Sequence, residues 1–190
     1  MKKNIFTIPN IISMFRIVLI IVFIPIYFSE IENNLLIALG VMLLSGLSDV
    51  ADGFIARRFN MVSDFGKVLD PVADKLTQGV ILFCLLINHS AILPMFIVLF
   101  VKELMTAFAA TYLLRNGFEP MSAKWWGKLS TAAIYATIFY IILNDYFGLY
   151  DAVLIVLVVI SIICMLISLL GYLNIVLNKS KEAIKESKKI

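Results

Sequence analysis

Charge is scarce in this chain of 190 residues: only 15% of them are Asp, Glu, Lys or Arg. Soluble domains carry about a quarter. Hydrophobic residues make up 62% and the mean hydropathy is +0.99, which puts the chain in the membrane class. The apolar segments leave no room for a separate soluble body, so one compact domain is expected. A net charge of +3 is too slight to point to nucleic acid. Cysteine is nearly absent: Cys84 and Cys164 both lie inside apolar runs, as small buried hydrophobes do. Histidine is rarer still, with His89 alone in a polar break, Asn88-His89-Ser90. One histidine and no nearby cysteine leave little material for a zinc site or a Ser/His triad. There is no internal repeat, low-complexity stretch or Gly-rich linker. The start, Met1-Lys2-Lys3 before an apolar stretch, imitates a signal peptide. No small-residue cleavage site follows, and Pro9-Asn10 and Arg16 interrupt the stretch, so a retained segment is expected.

What is present is a series of apolar runs. A spanning helix needs ~20 mostly apolar residues. Six segments approach that: Ile11 to Phe28, Leu35 to Phe54, Val72 to Ile87, Ile92 to Leu114, Leu129 to Leu143 and Ala152 to Leu177. The third and fifth are short, and their polar ends must continue as helix into water or a protein cavity. The expected fold is an all-α bundle of six transmembrane helices over 1–178, with a basic cytoplasmic tail at 179–190. Lys and Arg cluster at the N-terminus, between the second and third segments, around Arg115, Lys124 and Lys128, and in the tail. The other three connections carry none. This alternation predicts six spans with both termini cytoplasmic. Trp125-Trp126 and Tyr146, Phe147 and Tyr150 fit the two interfacial aromatic belts. The tail suits attraction to anionic inner-leaflet lipid.

One region defies the pattern of a membrane helix. It runs Ser48-Asp49-Val50-Ala51-Asp52-Gly53-Phe54-Ile55-Ala56-Arg57-Arg58, then Gly66-Lys67-Val68-Leu69-Asp70-Pro71-Val72-Ala73-Asp74-Lys75. Asp49 and Asp52 are three apart, and Asp70 and Asp74 four apart, so each pair shares a helix face. A short connection makes the two helices antiparallel neighbours, with four carboxylates at one end. Cations must compensate them, or some must stay protonated. Oxygen-only ligands suit a hard divalent ion, Mg²⁺ first and Mn²⁺ or Ca²⁺ next. Four carboxylates suffice for two ions, and a metal pair clamps attacking and leaving oxygens in phosphate displacement. Gly53 and Ala56 leave a helix face bare for a flat group such as a nucleotide, and Arg57 can grip a phosphate bidentately.

Each feature has a plainer reading. Asp70 before Pro71 fits a helix N-cap. Arg57 and Arg58 fit positive-inside charges, Gly53 and Ala56 fit helix packing, and the acids fit an ion or proton pathway. A transporter, however, has no need of Gly53, Ala56 and Arg57 at these offsets, and would spread its acids across membrane depth.

The series Asp49, Asp52-Gly53, Ala56-Arg57, Gly66, Asp70, Asp74 resembles, in every fixed position and spacing, the signature of the CDP-alcohol phosphotransferases. That resemblance covers most of the chain and implies six spans and a homodimer. It implies that Asp49, Asp52, Asp70 and Asp74 bind a metal pair, and that Asp74 is also the base that deprotonates the incoming hydroxyl. It implies that Asp49, Gly53, Ala56, Arg57 and Gly66 contact the CDP-lipid. The reaction so implied yields a phospholipid and CMP, in the plasma or inner membrane with the site facing the cytoplasm.

Three strings are most similar to the branch that transfers from CDP-diacylglycerol to sn-glycerol 3-phosphate, the phosphatidylglycerophosphate synthases. They are Ile8-Pro9-Asn10 with Arg16, Asp64 to Lys75, and Gly127-Lys128-Leu129-Ser130-Thr131. An anionic acceptor needs further cations, and Lys67, Arg115 and Lys128 are the candidates for its phosphate. The branch often has Arg-Glu where this chain has Lys102-Glu103, and Lys cannot make Arg's bidentate contact. Lys102 and Glu103 can instead neutralise each other or a neighbour. The core string is shared with cardiolipin synthases, whose acceptor is phosphatidylglycerol.

Overall fold

A computed structural model describes residues 7–59, 66–115, 118 and 124–187; the side chains of Arg57, Lys67, Val68 and 181–187 lie outside the described set. The described residues are helical, with no strand among them. Six helices follow one another: α1 (Ile8–Tyr27), α2 (Asn34–Arg58), α3 (Gly66–Asn88), α4 (Leu93–Arg115), α5 (Trp125–Phe147) and α6 (Asp151–Ser187). A single 3-10 turn, Ser90–Ile92, leads into α4. Among the described residues, five helices are long and apolar enough to cross a membrane. The exception is α3, whose first ten residues include Lys67, Asp70, Asp74 and Lys75. It is long enough at 23 residues, about 34 Å at 1.5 Å per residue. Its polar start is where the carboxylates stand.

α1 turns the soluble-protein pattern inside out. Ile8, Ile11, Phe15, Val18 and Ile21 are exposed, while Asn10, Ser13 and Arg16 are buried. The buried stripe continues as Leu19, Ile20, Phe23 and Tyr27, at the three- and four-residue spacing of one helix face. Apolar residues outward and polar ones inward suit a hydrocarbon solvent. Pro9 stands in the first turn, where its missing N–H costs nothing.

The chain divides into two compact units. The first holds Met1–His89 and Ile138–Tyr150. Here α1 packs against both α2 and α3. Ala38, Leu39 and Met42 of α2 and Ala73, Ile81, Leu82 and Leu85 of α3 are buried in its core. At the C-terminal end of α1, Asn88 Nδ2 donates to Tyr27 Oη over 3.1 Å, and His89 Nε2 lies 2.8 Å from Asp145 Oδ1. The lone histidine is thus half of a polar pair. α5 stops at Gly148, whose φ of +64° is open to glycine without strain.

The second unit holds Ser90–Thr137 and Asp151–Ile190, with α4 packed on α6. Small residues set its close contacts. Thr137 and Ser161 hydroxyls meet at 2.8 Å. A Cβ on Gly171 would lie 2.8 Å from Trp126 Cε2 and Nε1, with no flexible chain end to give way. Gly171→Ala is therefore expected to cost about 1–3 kcal/mol and lower the melting temperature in detergent. Gly40→Ala, with nothing within 4 Å of its Cβ, leaves the melt unchanged. Equal melts for the two variants would contradict this account. Lys102 Nζ pairs with Glu103 Oε1 at 2.8 Å, so the buried Lys102 and the partly exposed Glu103 of α4 neutralise each other. α6 continues unbroken to Ser187, 37 residues and about 55 Å.

Candidate active site

Two acidic helix faces meet the polar face of α1 in the first unit. Asp49 and Asp52 project from α2, and Asp70 and Asp74 from α3. α1 supplies what joins them, because Ser13 and Arg16 are three residues apart on its buried polar stripe. Arg16 Nη2 lies 2.8 Å from Asp49 Oδ1 and 2.6 Å from Asp52 Oδ2, and Nη1 pairs with Asp74 Oδ1. Ser13 Oγ lies 2.6 Å from Asp70 Oδ1, 3.1 Å from Asp52 Oδ2 and 3.0 Å from the Pro9 carbonyl. A hydroxyl has one proton to donate. At any moment two of these three acceptors go without it, and the shortest contact favours Asp70.

The cluster is closed on one side and open on the other. The side chains of Arg16 and Asp52 are 2% and 4% exposed, whereas those of Asp49 and Asp74 are 47% and 49% exposed. Asp49 and Asp74 are therefore the two carboxylates on the open side of the cluster. Asp70 stands inside α3, which begins at Gly66, so it is not the N-cap that Pro71 suggests. Pro71 leaves the carbonyl four residues earlier without its helical donor, a local irregularity next to the acids.

The donor set fits a divalent cation. Counting these side chains, four carboxylates against one guanidinium leave a formal charge of −3. All are hard oxygen donors, and they outnumber the protons offered to them. As the acids stand, no three acidic, histidine or cysteine side chains among the described residues are spaced around a common ion position. Asp49, Asp52 and Asp74 turn to the guanidinium instead.

The remaining predicted residues are placed as follows. Gly53 and Ala56 lie on α2 one turn beyond Asp49 and Asp52, both partly exposed, and Gly66 is buried at the start of α3. The side chains of Arg57 and Lys67 lie outside the described residues. Arg115 and Lys128 belong to the second unit, exposed in the last turn of α4 and the first turn of α5. Ser13 and Arg16 were not among the site residues expected from sequence, although their spacing with Asn10 marks a polar face on an otherwise apolar helix.

Residues 6–174 match the family described as CDP-alcohol phosphatidyltransferase. The CDP-diacylglycerol–glycerol-3-phosphate 3-phosphatidyltransferase of Haemophilus influenzae is 29% identical over 133 residues, 67% of this chain and 71% of that protein. The CMP-forming cardiolipin synthase of Streptomyces coelicolor is 36% identical over 136 residues, 67% of this chain and 61% of that protein. The CDP-diacylglycerol–glycerol-3-phosphate 3-phosphatidyltransferase of Rickettsia typhi is 42% identical over 80 residues, 41% of this chain and 44% of that protein. The match runs from α1 into α6 and so includes all the residues of the acidic cluster. A multi-pass membrane protein by its helices, the chain belongs to the CDP-alcohol phosphatidyltransferase family of phosphatidyltransferase enzymes.

Proposed function

We propose that this protein transfers the phosphatidyl group of CDP-diacylglycerol to the hydroxyl of sn-glycerol 3-phosphate, giving phosphatidylglycerophosphate and CMP. The observation that carries the reading is the convergence of Asp49, Asp52, Asp70 and Asp74 on the polar face of α1, within a region that matches the family throughout. An alcohol is a weak nucleophile at neutral pH and needs a base beside it. Asp74, half exposed at the open side, accepts the hydroxyl proton in this reading. The alcohol oxygen then forms its bond to the lipid-side phosphorus, the anhydride P–O bond breaks, and CMP leaves with the electron pair.

Asp49, Asp52, Asp70 and Asp74 would hold Mg²⁺ or Mn²⁺, two ions in this reading. A divalent cation there supplies positive charge for the pyrophosphate as charge develops on it. Gly53, Ala56, Arg57 and Gly66 accommodate the CDP moiety along the same stretch of α2 and α3. Lys67, Arg115 and Lys128 serve the acceptor's phosphate. In this reading the Lys/Arg-rich connections favour the cytoplasmic face for this end of the helices, in the plasma or inner membrane, with the protein a homodimer as the family resemblance implies.

The cardiolipin synthase relatives favour a second reading, with phosphatidylglycerol as acceptor. One experiment separates the two. The purified protein receives CDP-diacylglycerol and Mg²⁺ with glycerol 3-phosphate, phosphatidylglycerol, inositol phosphate or serine supplied singly, and CMP release is followed. Release with glycerol 3-phosphate alone is the expected result. Release only with phosphatidylglycerol moves the protein to the second reading, and release with none contradicts both.

A further inference from the structure

Arg16 is out of place for a residue of a spanning helix and for a metal site alike. Its side chain is 2% exposed, and it is the one cation in contact with Asp49, Asp52 and Asp74 among the described contacts. Its two terminal nitrogens take up three carboxylates from two helices, yet its Nε is buried without an acceptor. The acids are thus better served by the guanidinium than it is by them. A buried guanidinium that completed a purely structural network would have that donor satisfied. The acids show the same imbalance from their side. Two of them are half open, and none is arranged with two others around an ion position while Arg16 is among them.

We propose that Arg16 is a resident counter-cation: it holds the place of the divalent ion among Asp49, Asp52 and Asp74 and yields those carboxylates when the ion binds. The inference rests on the metal reading of the cluster given above. Its physical basis is that one set of carboxylates serves two exclusive cations. Without the ion, four like charges at the ends of two helices would drive α2 and α3 apart, and the guanidinium holds them on α1. With the ion, the same carboxylates turn to it, and the guanidinium gives up contacts that were never complete. Linkage then sets two signs. Removing the charge of Arg16 weakens the ion-free protein and strengthens ion binding. An Arg16 that merely oriented the ligands from behind would give the opposite sign for binding, because its loss would disorder them.

The test uses the full chain in detergent. Mn²⁺ binding is read from the free-ion electron paramagnetic resonance signal, and thermal stability from melts with and without Mn²⁺. Arg16→Gln is expected to bind Mn²⁺ about 10-fold more tightly than wild type or better, given the close charges involved. Its melting temperature should fall without the ion and recover most of the difference at saturating Mn²⁺. Arg16→Lys, which keeps the charge but loses the fork, should fall between the two. If Arg16→Gln folds only with metal, it is purified in Mg²⁺, and chelation should unfold it under conditions that wild type survives. Equal or weaker Mn²⁺ binding by Arg16→Gln, or a stability gap that Mn²⁺ leaves unchanged, overturns the inference while the metal reading stands on the wild-type titration. No Mn²⁺ bound by either protein overturns both.

Discussion

Changing Asp74 to Asn is expected to slow CMP release by about 10²–10⁴-fold, the range that a positioned general base contributes, while CDP-diacylglycerol stays bound. Asp74 Oδ1 accepts from Arg16 Nη1, and an Asn amide oxygen can accept the same donor. The side chain keeps its size, and the substitution removes one of three carboxylates around Arg16 without stranding the guanidinium, since Asp49 and Asp52 remain. What is lost is the ability to take a proton from the attacking hydroxyl, together with one negative charge of the proposed ion site; the amide oxygen can still face an ion, so measuring at saturating Mg²⁺ isolates the loss of the base. Single-turnover CMP release measures the chemical step, and a binding titration with CDP-diacylglycerol measures what precedes it. The expected split is a large fall in the first with a change of a few-fold at most in the second. Turnover within a few-fold of wild type would place the base elsewhere, with Asp49 next in line as the other half-open carboxylate.

Much of this arrangement was legible in the chain before its fold was. Apolar length and the placing of Lys and Arg point to six helices, and six stand among the described residues. Their ends run further than apolar length suggests: α2 continues to Arg58 and α3 starts at Gly66, because helix geometry does not stop where hydrophobicity does. Those extensions carry Asp70 and the candidates Ala56, Arg57, Gly66 and Lys67, while Asp49, Asp52 and Asp74 lie inside the expected segments. The spacing of Asp49 with Asp52 and of Asp70 with Asp74 reads directly as two helix faces, and both pairs meet Ser13 or Arg16.

The residues that the pattern did not expose are those acting across the fold. Arg16 was visible as an interruption in an apolar run, and Asn10 and Ser13 precede it at three-residue spacing. A polar stripe on a membrane helix implies an inward face, yet nothing in the sequence says which helices it meets. That depends on α1 packing against both α2 and α3, a tertiary fact. Likewise, a short connection between α2 and α3 suggests that they pair directly, and nothing in it says that Ser13 and Arg16 of α1 also join the carboxylates of both helices. The Asp70-Pro71 pair misleads locally, since N-cap chemistry and a proline inside a helix look alike until the helix start is known.

Asp70 carries the other large expected effect. Asp70→Asn should lower turnover by at least ~100-fold at any Mg²⁺ concentration, matching the upper end of what even an outer partner of a metal ligand contributes to metal affinity. Asp70 is the carboxylate that Arg16 does not hold; it accepts from the Ser13 hydroxyl at 2.6 Å. Its charge is therefore the least compensated of the four and the most available to a cation. The amide keeps an oxygen for Ser13, so packing on α1 should survive and the protein should still melt cooperatively. Lowering the formal charge of the cluster from −3 to −2 weakens its hold on a divalent ion, and chelating metal from the wild type should reproduce the loss of turnover. The two treatments differ in one respect that makes the comparison decisive. Added Mg²⁺ restores the chelated wild type fully, whereas Asp70→Asn stays slow because a ligand, not the ion, is missing. Near-wild-type turnover in Asp70→Asn would remove this residue from the metal site and leave it as a structural partner of Ser13 between α1 and α3.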